Sequence, residues 1–267
     1  MSSRSPQENS DAADLTALRH AAASLSHPLT RALLLLTFST GLVDAASYLG
    51  LGHVFAANMT GNIVLLGFGI AGSGGLPVVA PLVSLGGFLL GAGTGGLLGS
   101  RSRRLRRTFV AALGIETAML VGAAAIAVAV HVRGGAVSGD AVIALLAFGM
   151  GVRNSFVRKL GVPDLTTTVL TMTLTGLAAE SRVFGGSGTG TVRRVAAVGS
   201  MLLGALTGAL LLKTSLALVL IVAAVLAGGT LLACRRLVTT LQPRTPRSPA
   251  GPEPESATQR PPGRRSR

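Results

Sequence analysis

At 267 residues the chain is long enough for one membrane bundle and too short for a bundle plus a large soluble domain. Its composition is 49% hydrophobic and 13% charged, with mean hydropathy +0.59, which excludes an ordinary soluble domain carrying about 25% charged residues. The net charge of +14 would suit nucleic acid, but 3 of the 24 Lys and Arg lie at or before Arg31, 8 at or after Arg235, and the other 13 fall mainly in short gaps between apolar runs, so they read as topology signals.

In chain order, residues 1–31 form a polar tail expected to be disordered. It carries Glu8, Asp11 and Asp14 and lacks the short basic head of a cleavable signal peptide, so the first apolar run is expected to act as an uncleaved start-transfer helix. Eight apolar segments follow, near 32–51, 54–71, 76–99, 109–131, 140–157, 163–180, 195–212 and 214–233. Most approach the roughly 20 residues a membrane helix needs. They are too long and too uniform for barrel strands. Residues 237–267 are Pro-, Arg- and Ser-rich and cannot bury a core. Cys234 is the single cysteine, so no internal disulfide forms.

The arginines choose between topologies. Eight plain crossings would put Arg101, Arg103, Arg104, Arg106 and Arg107 in one short outside loop, against the positive-inside tendency. If 54–71 and 163–180 instead enter and leave on one side, every strong basic cluster and both termini fall in the cytoplasm. Irregular backbone at that depth needs protein or a watery cavity around it, and these two segments are the polar ones. The fold expected is therefore all-α: a polytopic membrane helix bundle of six transmembrane helices plus two short re-entrant or broken segments. The alternative is eight spanning helices.

An internal duplication is also expected. A shift of about 110 residues lays the first four segments on the last four, giving repeats at 32–134 and 135–236. Gly41-Leu-Val-Asp44 falls on Gly151-Val-Arg-Asn154. At a shift of 109, Gly87, Gly91, Gly95 and Gly99 fall on Ala196, Ser200, Gly204 and Gly208, two grooves for close helix approach. Three crossings per half would invert one half relative to the other.

Asp44 is the most informative side chain, because a carboxylate inside an apolar run is costly and needs a use. Helical spacing puts it on one face with Thr37, Thr40, Gly41, Ser47 and Tyr48. It either serves a solute or proton, or caps a broken helix or pairs with Arg153 or Arg158. Asn58-Met-Thr60-Gly61-Asn62 opens the second segment and offers two amides and a hydroxyl. Capping of a short helix is the plainer use. The counterpart run, from Pro163 and Asp164 through Thr166, Thr167, Thr168, Thr171 and Thr173 to Thr175, offers hydroxyls that can also bond back to their own helix. Glu116 is read as either a proton site or an interfacial residue.

Enzymatic signals are poor. His20, His27, His53 and His131 are not at metal-ligand spacing, and no Gly-rich phosphate loop ends in Lys-Ser or Lys-Thr. No catalytic residue, metal, cofactor or nucleic-acid partner is therefore expected.

Gly41-Leu-Val-Asp44-Ala45, followed by Phe55-Ala-Ala-Asn58-Met-Thr60-Gly61-Asn62, resembles the YoaK-like family of uncharacterised bacterial membrane proteins. Gly149-Met-Gly151-Val-Arg-Asn154 and Val162-Pro163-Asp164-Leu-Thr166-Thr167-Thr168 look like the same family's second half, and the resemblance covers about 32–233. It implies about six membrane helices and no assigned substrate. The leading functional expectation is a multi-pass cytoplasmic-membrane permease or channel-like transporter, in contact with lipid and open to a homo-oligomeric assembly. Its path for a small polar solute or proton would run along Asp44, Tyr48, Asn58, Thr60, Gly61, Asn62, Asn154, Asp164, Thr167, Thr168 and Thr171. The alternative is a non-transporting membrane scaffold or assembly partner.

Overall fold

Pro28 opens the first helix because its missing N–H costs nothing at that position, and the His27 ring nitrogen accepts the N–H of Leu29 at 3.3 Å. This helix, α1 (Pro28–Gly50), begins inside the stretch assigned to the N-terminal tail. The computed structural model describes residues 27–101, 105–160, 170–181 and 185–240. The rest of both expected tails, 1–26 and 241–267, lies outside the described residues. The remaining helices are α2 (Met59–Ile70), α3 (Val79–Arg101), α4 (Leu105–Ala129), α5 (Val137–Leu160), α6 (Leu170–Ala179), α7 (Thr191–Leu212) and α8 (Leu216–Thr240).

Six of them, α1, α3, α4, α5, α7 and α8, are long and apolar enough to cross a membrane. Helix α2 has 12 residues and α6 has 10. At 1.5 Å per residue α2 reaches only about 18 Å, well short of a hydrocarbon core of about 30 Å; α6 as described reaches about 15 Å, and residues 161–169 before it lie outside the described residues. Among the described residues the architecture is six helices of span length with two shorter ones. Leu89, Leu90, Leu202, Leu203 and Val225 are more than half exposed, an apolar outer surface that suits lipid.

Glycine contacts fix the relative directions. Along α3, Gly87 lies against Ala144, Gly91 against Phe148, Gly95 against Val152 and Ser155, and Gly99 against Lys159, so α3 and α5 run parallel. Gly204 lies against Phe38, Gly208 against Leu42, and Leu212 against Gly50, so α1 and α7 also run parallel. Gly149 meets Glu116 while Gly122 faces Leu145, which makes α4 antiparallel to α5. Gly134, just before α5, packs on Leu51 and Gly52, just after α1, so α1 and α5 are antiparallel. The starts of α1, α5 and α7 and the ends of α3 and α8 are thereby all assigned to one face of the bundle or the other. Arg31, Arg101, Arg158, Lys159, Arg193, Arg194, Arg235 and Arg236 share one face; Arg133 and Lys213 are the described cations of the other.

The two parallel pairs match in detail. A side chain at Gly41 would collide with the Met201 carbonyl, and one at Gly151 with the Phe88 carbonyl; Gly204 sits on the carbonyl of Phe38, and Gly91 on that of Phe148. The contacts therefore relate Gly91 to Gly204 and Gly95 to Gly208, one helical turn away from the alignment expected at a shift of 109. Small residues every fourth position look the same at neighbouring turns, so sequence spacing alone does not choose between the two registers.

The close approaches have a direct consequence. Gly91→Leu and Gly204→Leu should each force the backbones apart and cost about 3 kcal/mol or more. Gly93, which faces open space, should tolerate Leu without loss. Thermal unfolding midpoints in detergent would separate the two groups; equal midpoints for all three variants would contradict the packing.

Candidate functional site

The half-helix α2 is reached by a backbone that turns back along α1. After Gly50 the chain passes through Gly52 at φ 101° and His53 at φ 60°, a reversal that glycine makes inexpensive at the first of these positions. Residues 55–57 then descend beside α1 without helical bonds of their own. Their polar groups are met one by one. The N–H of Ala57 donates to Asp44 Oδ1 at 2.8 Å, and the N–H of Ala56 to Ser47 Oγ at 3.1 Å. The N–H of Phe55 donates to Asn62 Oδ1 at 2.8 Å, and the Phe55 carbonyl accepts from Asn62 Nδ2 at 2.7 Å and Ser84 Oγ at 2.7 Å. The Phe55 ring stacks on Tyr48 at 4.8 Å and lies over Gly61, where a side chain would meet it at 2.9 Å.

These bonds place several of the residues expected along a path. Asp44 is 5% exposed and accepts the Ala57 N–H, with no hydrogen bond from Arg153 or Arg158. Asn62 is fully buried, its amide bonded to Phe55 and Ser84. Tyr48 and Gly61 lie against the Phe55 ring. Asn58 caps α2, accepting the Gly61 N–H at 3.2 Å while staying exposed.

Arg153 belongs to a different constellation. It is fully buried and pairs with Glu116 at 2.7 Å, both side chains almost wholly out of solvent. Its second nitrogen reaches the Thr40 hydroxyl and the Met150 sulfur, and its first also contacts the Leu36 carbonyl at 3.4 Å. Glu116 is therefore a deep residue, not an interfacial one. The pair ties α4, α5 and α1 together where two apolar clusters meet, one including Leu120, Met150 and Val43, the other Leu36, Leu113 and Phe156.

A cavity of about 790 Å³ opens beside this core. It is lined by Ala57, Asn58, Met59 and Thr60 from the start of α2, and by Phe88 and Ala92 of α3. Asn154, Ser155, Val157, Arg158 and Lys159 of α5 complete it. Its size falls in the range of small-molecule sites. The start of α2, with the positive end of its dipole, faces into it. Arg158 and Lys159 are exposed at its basic-face end. Of the residues expected along a path, Asn58, Thr60 and Asn154 are brought together here, and Asp44 stands one residue layer behind, bonded to the Ala57 that forms part of the wall.

Asp164, Thr167 and Thr168 lie outside the described residues. Thr171 is exposed on α6, and Thr173 is the threonine of that helix that is buried. Arg194 holds the end of α6 by donating to the Gly176 carbonyl at 2.9 Å and pairing with Glu180 at 2.8 Å. The sequence reading did not single out Ser84, Ser155, Lys159 or Arg194. Ser84 and Ser155 were visible as lone hydroxyls in apolar runs. The pairing of Glu116 with Arg153 was visible only as two opposite charges within spans.

The chain belongs to the family described as protein of unknown function (DUF1275), which matches residues 32–233. It is 37% identical over 153 residues to UPF0700 transmembrane protein YoaK of Bacillus subtilis (strain 168), an alignment covering 55% of this chain and 64% of that protein. The match thus spans just under two thirds of the relative's length. No solved structure matches. The protein is accordingly a multi-pass membrane protein.

The buried pair sets up a double-mutant cycle. Glu116→Leu should strand Arg153 and destabilise the bundle by about 3 kcal/mol or more. Adding Arg153→Met should recover a large part of that loss, because both charges are then gone. Unfolding in mixed micelles would read the cycle; additive losses would show that the two side chains do not act as a pair.

Proposed function

We propose that this member of the DUF1275 family is a small-solute permease of the cell membrane, not an enzyme, with both termini in the cytoplasm. The observation that carries this reading is the cavity of about 790 Å³ at the start of a half-length helix, into whose largely apolar lining Asn58, Thr60, Asn154 and Ser155 bring polar groups. Discontinuous helices whose ends point at a site near mid-membrane are how many transporters hold a solute. Asn58, Thr60, Asn154 and Ser155 supply donors and acceptors in the cavity, with Arg158 and Lys159 at its mouth.

Two further features support the reading. The matched contacts of α1 with α7 and of α3 with α5 favour two inverted halves, 32–134 and 135–236. The basic residues on one face favour the cytoplasm on that side. The cavity would then open inward, and α2 would be entered from outside.

A second reading has an observation of its own. Asp44 and Asn62 are bonded to protein, as expected of polar groups that only hold broken helices together, and a non-transporting scaffold needs no more. The cavity is what a scaffold does not need.

Two measurements test this. In a Cys234→Ser background, Ser100→Cys and Ser187→Cys should react with an impermeant maleimide only from the inside, and Ser73→Cys only from the outside. Labelling of position 187 in intact cells would overturn the topology. Untargeted metabolite uptake in cells with and without the protein should yield a solute whose flux falls at least tenfold in Thr60→Phe, which puts a ring into the cavity at an exposed position of α2. A flux unchanged by that variant, or no flux in any condition, would favour the scaffold.

A further inference from the structure

Away from the helix ends, the described spans bury three ionisable side chains that carry charge: Asp44, Glu116 and Arg153. Their charges do not cancel. Arg153 and Glu116 form a contact pair at 2.7 Å, neutral as a unit. Asp44 remains, 5% exposed, with Arg153 near it but bonded to Glu116 instead. A carboxylate only partly offset in a low-dielectric interior is expensive and is relieved by taking up a cation or a proton.

The surroundings decide between those. A metal cation needs several oxygen ligands. Asp44 Oδ1 instead faces the N–H of Ala57, and the Ser47 hydroxyl beside it is used by the Ala56 N–H and the Asp44 carbonyl. Donors repel a metal ion. Among the described residues no group of three or more His, Cys, Asp or Glu gathers anywhere. Among the described residues the charged groups around Asp44 are few. From α5 it faces Arg153, held one turn away on Thr40, and behind that Glu116 of α4. Residues 195–212 of α7 and 216–233 of α8 contain no ionisable side chain.

We propose that Asp44 is a proton-binding site and that the proton it takes up controls the grip of α1 on the segment leading into α2. As a carboxylate, Asp44 accepts a charge-assisted bond from Ala57, which holds the cavity wall in place. As a carboxylic acid it is a weaker acceptor, and the wall at Ala57 to Thr60 is released. The proton comes from water and returns to it; no bond other than O–H forms or breaks. The site stands on the buried charges alone. Its service as the coupling ion of a solute flux rests on the permease reading.

The test uses the full chain in lipid vesicles and needs no solute. Infrared difference spectra across a pH titration should show, among the bands of the other acids, a protonated-carboxyl carbonyl component that Asp44→Asn removes and Glu116→Gln leaves. In parallel, Thr60→Cys in the Cys234→Ser background should label with maleimide several-fold faster at acid than at alkaline pH, after correction for thiol ionisation with a free cysteine standard. Adding Asp44→Asn, which keeps an acceptor for the Ala57 N–H, should abolish that difference. A band that follows Glu116, no band lost in Asp44→Asn, or a pH effect that survives Asp44→Asn would overturn the proposal. Failure of the uptake screen with the Asp44 band present would remove the permease reading and leave the proton site standing.

Discussion

A backbone that reverses inside hydrocarbon must find a partner for every amide, and one carboxylate does much of that here. Asp44, with Ser47, Asn62 and Ser84, takes up the polar groups of residues 55–57 that a helix would have satisfied internally. Without those side chains, several unpaired groups would face an apolar interior, at a cost of several kcal/mol each. The extended entry, the half-length α2 and the cavity at its start all follow from that one arrangement. The cost of burying Asp44 is the cost of having a helix begin in the middle of the bundle.

The packing around this arrangement is rigid where it needs to be. Helix α1 cannot shift against α7, nor α3 against α5, without a glycine meeting a carbonyl at Gly41, Gly204, Gly91 or Gly151. Such glycine seams bring backbones into van der Waals contact, which is the main attraction between helices when lipid is as apolar as the side chains. The seams join residues before position 134 to residues after it, so neither half of the sequence packs as a unit alone. The buried Glu116–Arg153 pair adds a polar tie across the same division.

Much of the fold was legible in the sequence because hydrocarbon imposes simple rules. Apolar runs of span length, and arginines gathered in alternate gaps, were enough for six crossings and two half-length segments. The helix-breaking role of 51–58 was legible only in part: the segment from 54 looked as apolar as any span, and only Asn58, Gly61 and Asn62 marked a departure. The site was less legible, because residue type does not say what a polar atom bonds to. Asp44 and Asn62 were recognised as buried groups with a purpose, yet they bond backbone atoms thirteen residues on and seven residues back, which no side-chain pattern reveals. Arg153 was matched to the wrong carboxylate for a related reason. Both acids lie within spans, and only three-dimensional packing shows that α4, not α1, presents its carboxylate to the guanidinium.

The two motifs Gly41-Leu-Val-Asp44 and Gly151-Val-Arg-Asn154 occupy comparable places, each with its glycine in a parallel seam, yet their polar residues do different work. Asp44 faces inward to a backbone it holds, whereas Asn154 faces a cavity. Val43 is buried among apolar neighbours, whereas Arg153 at the matching place brings in a charge that needs Glu116. If both motifs served only to brace the chain, one chemistry would suffice for the two, and the cheapest would be neutral. Charge is instead concentrated where one acid holds the backbone that leads into α2. That placement is costly for a scaffold and fits the proposed proton site.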